Sequence, residues 1–389
     1  MKRPRRLTLL IETIVAHPIR HLLAAALGLV LGVTGFLLDR TIEAFDRSAV
    51  EDFSPLAAQE QLKSLTELEQ ARNRTVLAEV LATTTTAPVD DEVHIGRGVL
   101  LASATAAAIS AEQVAATAIP NVSSPLLPDD MFDAVLLVGA DASGFRADVI
   151  ILVLLPSDGA RAMLVSIPRD LWVPNLCTGR YSRINVGLAG CPGSASGSEL
   201  LALMVTDYTG VHVDHLARTT FQGFANIVDW MGGTRICVDY ETRDLKSHLE
   251  LDEGCVNADG KTTLAWVRSR HTEQKIGGKW KTVAGSDFFR QRNQHGILFQ
   301  LAGKLSDRTS VGAVTETLDR LSSAVRLDRG LTVGKAAKLF WRYRGVGKGE
   351  VTTLRPGFRN FRTSGGAAVL IPEALFNSVL AKVYPAAKR

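Results

Sequence analysis

Apolar residues follow three different textures along this chain, and the main change comes at Phe132. Positions 22–38 read LLAAALGLVLGVTGFLL, seventeen residues without a charge. That is the low end of the length that crosses a bilayer as a helix. Over 55–82, Leu56, Leu62, Leu65, Leu68, Val76, Val80 and Leu81 recur among Glu, Gln and Arg at helical spacing. A Thr-, Ala- and Ser-rich stretch follows, with proline at 120, 125 and 128. From Phe132 the runs FDAVLLVG, DVIILVLLP and ARAMLVSIP have strand length, the last two parted by the turn Ser157-Asp158-Gly159. Their unbroken hydrophobicity predicts central strands covered on both faces. Ser198 to Tyr208 predicts a helix opened by Ser196 or Ser198, and Phe221 to Met231 another, stopped by Gly232-Gly233 before the strand-like TRICVDY. Further helices are predicted at 288–304, 312–325 and 332–341. Alternating strands and helices predict an α/β domain over 131–385, its sheet covered by helices on both sides, with no internal linker.

Charge gives the apolar stretch near the start a direction. Lys2, Arg3, Arg5, Arg6 and Arg20 precede it against Glu12, whereas Asp39, Glu43, Asp46, Glu51 and Asp52 follow it with only Arg40 and Arg47. This bias predicts a cytoplasmic segment at 1–21, a membrane-spanning helix at 22–38 and a chain that continues outside the cytoplasm. Residues 39–130 then read as a helical stalk or accessory region and linker. A cleaved signal peptide and a buried core helix are the alternatives.

With 46% hydrophobic and 22% charged residues, the 389-residue chain can build a substantial core. A formal charge of +4 gives no case for nucleic acid as a partner. The four cysteines, Cys177, Cys191, Cys237 and Cys255, form no C-x-x-C pair and so little basis for a zinc site. Pairing by proximity would join 177 to 191 and 237 to 255, as suits an exported domain. Three connectivities are formally possible, and four free thiols is the other reading. No G-x-x-x-x-G-K-[ST] loop, G-x-S-x-G elbow or H-E-x-x-H motif occurs.

Arginines gather with acids where strands and helices should end. Asp141 follows the first apolar run and Asp148 opens the second, just after Arg146. Two hard oxygen ligands beside an anion would suit Mg²⁺; the alternative is a pair of turn and cap residues. Arg169 and Asp170 end the third run, and Arg183 and Asn185 follow within SRINV, bracketed by Cys177 and Cys191. A guanidinium grips phosphate oxygens with two parallel hydrogen bonds, which lysine cannot reproduce. Arg268 and Arg270 stand two apart in WVRSRH, with His271 alongside. On a helix through SDFFRQRNQ, Asp287, Arg290, Gln291 and Gln294 share one face. A solvated basic surface is the competing reading of these arginines.

Together these windows resemble the LytR-CpsA-Psr family of cell-envelope proteins. The matching stretches are LLVGADASGFRADVIIL, LVSIPRDLWV, SRINVG, VDHLARTTFQGFANIVDWMGGTRICVD, LAWVRSRH and SDFFRQRNQ, in the family's order over roughly 136–294. The resemblance implies a central mixed sheet and transfer of a glycopolymer phosphate from a polyprenyl-pyrophosphate carrier at the membrane to a peptidoglycan hydroxyl. It implies Mg²⁺ at Asp141 and Asp148. Phosphate contacts would come from Arg146, Arg169, Arg183, Asn185, Arg268, Arg270, Arg290 and Gln294, with Asp170 or Asp287 as candidate bases. A non-catalytic binder of lipid-linked glycan and a polyprenyl-pyrophosphate pyrophosphatase are the alternatives. The chain departs from the family at Ala147, which replaces the serine after the arginine, and at Ser143 and Asn293, each replacing an arginine. Arg183 stands where the family often has lysine.

Overall fold

The runs after Phe132 become strands because they are rich in branched aliphatic residues and hold no proline before their ends. A computed structural model describes residues 49–64, 67, 122–283, 286–306, 316, 320–321, 323–332, 335, 338–339 and 351–387. They form two compact units, one from Phe53–Leu216 with Gly349–Arg389, the other from Ala217–Lys348 with 49–52. Each unit has its own apolar core.

In the first unit, β2 (Phe132–Ala140), β3 (Ala147–Pro156) and β4 (Met163–Ser166) lie antiparallel in turn. Strand β15 (Thr352–Leu354) adds parallel to β4, so the sheet is mixed. Strand β4 is shorter than the run that predicts it. Ile167 still donates its N–H to Ile150, but Pro168 has no N–H with which to extend the ladder. Helix α2 (Gly197–Thr209) opens on a reciprocal cap in which Ser196 Oγ accepts from Glu199 N at 3.3 Å and Glu199 Oε2 accepts from Ser196 N at 2.8 Å. It closes at Gly210, whose φ of 73° suits glycine. Leu200, Leu201, Met204 and Tyr208 of α2 meet Leu136, Leu152 and Leu154 of the sheet in one core. Helix α1 (55–64) adds Ala58 and Leu62 to that core. The small strands β5 (Trp172–Asn175) and β6 (Arg180–Arg183) form a hairpin, and β16 (Phe358–Arg362) and β17 (Ala368–Pro372) another.

In the second unit, β1 (Ala49–Glu51) runs parallel to β14 (Val325–Asp328), which is antiparallel to β7 (His215–Thr220). Helix α3 (Phe221–Trp230) starts at Thr220, whose hydroxyl accepts from Gly223 N at 3.1 Å. Strands β8 (Thr234–Val238) and β11 (Gly254–Ala258) pair, while β9 (Thr242–Asp244), β10 (Leu249–Leu251), β12 (Glu273–Ile276) and β13 (Lys279–Thr282) form a sheet in the order β10-β9-β12-β13. Helices α4 (Gly260–Arg268) and α5 (Ser286–Ser306) complete the unit. Gly260 fits against α3 because it lacks a side chain: a Cβ there would lie 2.1 Å from the Ala225 carbonyl oxygen.

Both cysteine pairings expected from proximity are present. Cys177–Cys191 closes a separation of 14 residues in the first unit. Cys237–Cys255 joins directly opposed residues of β8 and β11.

The expected membrane span is corrected. Among the described residues no helix is long and apolar enough to cross a membrane. Positions 22–38 lie outside those residues. The described residues therefore contain no transmembrane helix, and they do not support the single-pass location drawn from one. The helices predicted at 312–325 and 332–341 fall largely outside the described residues.

Candidate functional site

In the first unit the candidate residues gather at one edge of the sheet, where β2 ends, β3 begins and β4 ends. Gly139 pairs with Val149 and Ala140 with Ala147, which leaves Asp148 as an extra residue on β3. Irregularities of this kind re-aim a side chain. Here the Asp148 carboxylate forms an ion pair with the Arg169 guanidinium. Arg169 Nε is 3.7 Å from Asp170 Oδ2, and Arg183 Nε is 3.5 Å from Asp170 Oδ1. Asp148, Arg169, Asp170 and Arg183 thus alternate in sign along one chain of contacts. Arg183 also donates through Nη2 to the Ala368 carbonyl at 3.0 Å, which ties β6 to β17. Asn185 follows in the turn Ile184–Ala189, its N–H donating to the Arg169 carbonyl at 3.3 Å. Its side chain is buried, and Asn185 Oδ1 accepts no hydrogen bond from the described residues.

Asp141 takes a different role within this edge. Its Oδ1 accepts from Ser143 Oγ at 2.6 Å and from Arg146 N at 3.4 Å, closing the turn between β2 and β3. Slight burial pushes its pKa up. The bonds from the Ser143 hydroxyl and the Arg146, Gly144 and Ser143 main chain outweigh this and hold it below the ordinary value. Ser143, which stands in place of an arginine, is thereby used to brace the turn. Arg146 and Phe145 are exposed on the same turn.

The second unit carries the other candidates. Arg268 is the last residue of α4, exposed, with its guanidinium 4.1 Å from the centre of the Phe221 ring. Arg270 is half-buried two residues later. Arg290 and Gln294 are buried one turn apart on α5, and Gln294 Nε2 donates to the Val267 carbonyl at 3.1 Å. Asp287 lies in α5, with a side chain outside the described set. Asn293 is buried, and its Nδ2 has no acceptor among the described residues. Arg292, next to it, is exposed and its guanidinium lies 5.0 Å from the centre of the Phe289 ring.

Sequence reading missed Asp244. It is 1% exposed, and its carboxylate accepts five hydrogen bonds. Burial opposes ionisation, but donors from His271, Ser269, Lys246 and Arg270 hold its pKa down at about 2. In sequence it looks like a turn residue in RDLKS. Its partners at 269–271 lie some 25 residues away, and no local pattern announces them.

A cavity of about 420 Å³ opens along Ala189–Gly197 with Gln61 in its wall. Its lining of glycine, alanine, serine and proline is not an apolar sleeve for a lipid, and no candidate phosphate ligand borders it.

The sequence profile of the LytR_cpsA_psr family matches residues 99–376, more than half of the chain. The chain belongs to this family. One relative of this LytR_cpsA_psr member is the probable cell wall biosynthesis protein LcpB of Corynebacterium glutamicum, 32% identical over 151 residues, which cover 39% of the chain and 34% of LcpB. Another is the polyisoprenyl-teichoic acid–peptidoglycan teichoic acid transferase TagT of Bacillus subtilis. It is 24% identical over 212 residues, which cover 51% of the chain and 60% of TagT. The chain thus spans less than two thirds of the length of either relative. The LytR-Csp2A-Psr enzyme from Actinomyces oris shares the fold at a TM-score of 0.53 and 22% identity, over 67% of this chain and 96% of that one.

Proposed function

We propose that this LytR_cpsA_psr member transfers a glycopolymer phosphate from a polyprenyl-pyrophosphate carrier to a hydroxyl of peptidoglycan. The observation that carries the reading is the Asp148–Arg169–Asp170–Arg183 chain at the sheet edge, in a family that includes the teichoic acid transferase TagT. Its two guanidinium groups are partly exposed and fixed by carboxylates, as a phosphate clamp requires. Such donors act by meeting negative charge as it shifts during phosphoryl transfer, with little reorganisation.

Asp141 and Asp148 offer hard oxygen atoms, and Asn185 Oδ1 is an unused buried acceptor in the same unit. Among the described residues no three His, Cys, Asp or Glu side chains gather as a metal site. Two carboxylates still fit Mg²⁺, which keeps several waters and shares substrate phosphates. When bound, the ion would neutralise phosphate charge. Asp148 would then divide its oxygens between the ion and Arg169, and Asp170 would hold Arg169 and Arg183 in place. In the second unit, Arg268 and Arg270 are the cations that the family resemblance assigns to phosphate. Attack by the acceptor hydroxyl forms a new phosphodiester and releases polyprenyl phosphate, and the hydroxyl proton passes to a carboxylate such as Asp170.

The test is transfer of a labelled glycan phosphate from a polyprenyl-pyrophosphate donor to peptidoglycan fragments, with Mg²⁺ and with chelator. Wild-type transfer that chelation stops, and that Arg268→Ala abolishes, is the expected result. Donor binding without turnover would replace this reading with that of a glycan-binding protein. Phosphate release without acceptor would replace it with that of a pyrophosphatase.

A further inference from the structure

We propose that Asp244 is a positioning residue for the reaction, the buried anchor that sets the direction of the Arg268–Arg270 segment. The inference rests on the transfer reading above and adds to it a residue that touches no substrate.

The two carboxylate oxygens serve different segments. Asp244 Oδ1 accepts from Lys246 N at 2.9 Å and Ser247 N at 3.3 Å, which closes the turn between β9 and β10. Closing that turn needs only one oxygen. Asp244 Oδ2 accepts from Ser269 Oγ at 2.7 Å, Arg270 N at 2.9 Å and His271 N at 2.8 Å. All three donors belong to the stretch leaving α4, and the Ser269 hydroxyl is also 2.6 Å from Thr272 Oγ1. Ser269 and Thr272 are almost fully buried, whereas Arg268 and His271 are exposed and Arg270 is half-buried. The stretch is therefore pinned to Asp244 at three successive residues, Ser269, Arg270 and His271, with Arg268 exposed just before them. Lys246, presented by the other segment, has its Nζ 3.2 Å from His271 Nε2.

A buried carboxylate is costly unless it is bonded, and this one is bonded through one oxygen to the β9–β10 turn and through the other to the segment that holds the arginines. A shift of about 1 Å in a catalytic group is enough to lower turnover strongly, so loosening this anchor acts on rate more than on donor capture.

The test compares Asp244→Asn, Asp244→Glu and Ser269→Ala in the full chain with wild type, at a temperature where each is folded by circular dichroism. Asp229→Asn is the control, because Asp229 Oδ1 accepts from Gly260 N at the opposite end of α4. Asp244→Asn is expected to lower kcat at least tenfold with KM for the donor changed less than threefold, Ser269→Ala to lower kcat less, and Asp244→Glu to recover part of it. Asp229→Asn should keep wild-type kcat once folded. Wild-type kcat in folded Asp244→Asn overturns the inference; if that variant does not fold, wild-type kcat in Ser269→Ala overturns it. Should wild type show no transfer, the transfer reading fails instead. Amide hydrogen exchange at Arg270 and His271 then decides the anchor alone, since equal exchange in wild type and Ser269→Ala overturns it and exchange at least tenfold faster in Ser269→Ala supports it.

Discussion

The side-chain amide of Gln294 donates to the main-chain carbonyl of Val267 at 3.1 Å, both groups buried. One hydrogen bond thus links α5 to the residue before Arg268. Family resemblance makes Gln294 a substrate contact, but this bond gives it work inside the protein. Removing it leaves a buried carbonyl without its donor, at a cost of about 1–3 kcal/mol. Gln294→Ala is expected to lower the thermal midpoint by several degrees and to reduce turnover at temperatures where it remains folded. An unchanged midpoint with only a raised KM would return Gln294 to the role of direct ligand.

Arg169 is held by carboxylates on both sides, Asp148 and Asp170. Lysine keeps the charge but offers a single ammonium in place of a planar fork. Arg169→Lys is expected to lose about tenfold to a hundredfold in kcat/KM, and Arg169→Ala about a thousandfold, in line with the loss of a preorganised donor. Asp148→Asn should weaken transfer and raise the Mg²⁺ concentration needed for half-maximal rate. A magnesium requirement identical to wild type would remove Asp148 from the metal.

How much of this was legible in the sequence depends on the range of each interaction. The helix at 197–209 could be read because its cap, Ser196 with Glu199, is three residues long. The strands at 132 and 147 could be read because burial leaves a continuous apolar run. The cysteine pairs were near enough in sequence for proximity to rank them correctly. The irregularity at Asp148 depends on the register between two strands, and single-strand periodicity carries no register. The division into two units was invisible because no linker composition marks it, and β7 runs through the boundary. Ser143 stands where the family has an arginine, and its bracing of Asp141 depends on the path of the turn, which sequence pattern does not specify. Positions 22–38 suggest a span by hydropathy and flanking charge, at a length where a span is marginal.

The two disulfides should not be equivalent. Closing 14 residues in the first unit and 18 in the second predicts about 3 kcal/mol from each by loop entropy alone. Cys237 and Cys255, however, are already opposed in the β8–β11 ladder, so five paired positions restrain the chain without the bond. Cys177, in the loop between β5 and β6, and Cys191 bracket strand β6 and the turn that carry Arg183 and Asn185. Replacing Cys177 and Cys191 with serine is therefore expected to reduce both thermal midpoint and transfer. The Cys237/Cys255 double serine variant should lower the midpoint while kcat, measured well below it, stays near wild type. Equal loss of kcat in both variants would show that the first bond has no special bearing on the site.

Asp244 gives acid sensitivity a defined sign. Its folded pKa, about 2, lies below the ordinary 3.8, so the folded form binds its proton less readily than the unfolded chain. The stabilisation is therefore complete above roughly pH 4 and is lost as pH falls toward about 2. The difference is on the order of 2–3 kcal/mol. In urea unfolding followed from pH 5 to 2, wild type is expected to lose this amount beyond the loss from its other carboxylates. Asp244→Asn starts less stable at pH 5, because a neutral amide cannot accept all five bonds and places its own N–H₂ against donors. Its stability should fall less steeply with acid, and the two curves should approach each other near pH 2. Parallel curves over the whole interval would mean that Asp244 does not ionise differently in the folded protein, and the buried anchor would lose its electrostatic basis.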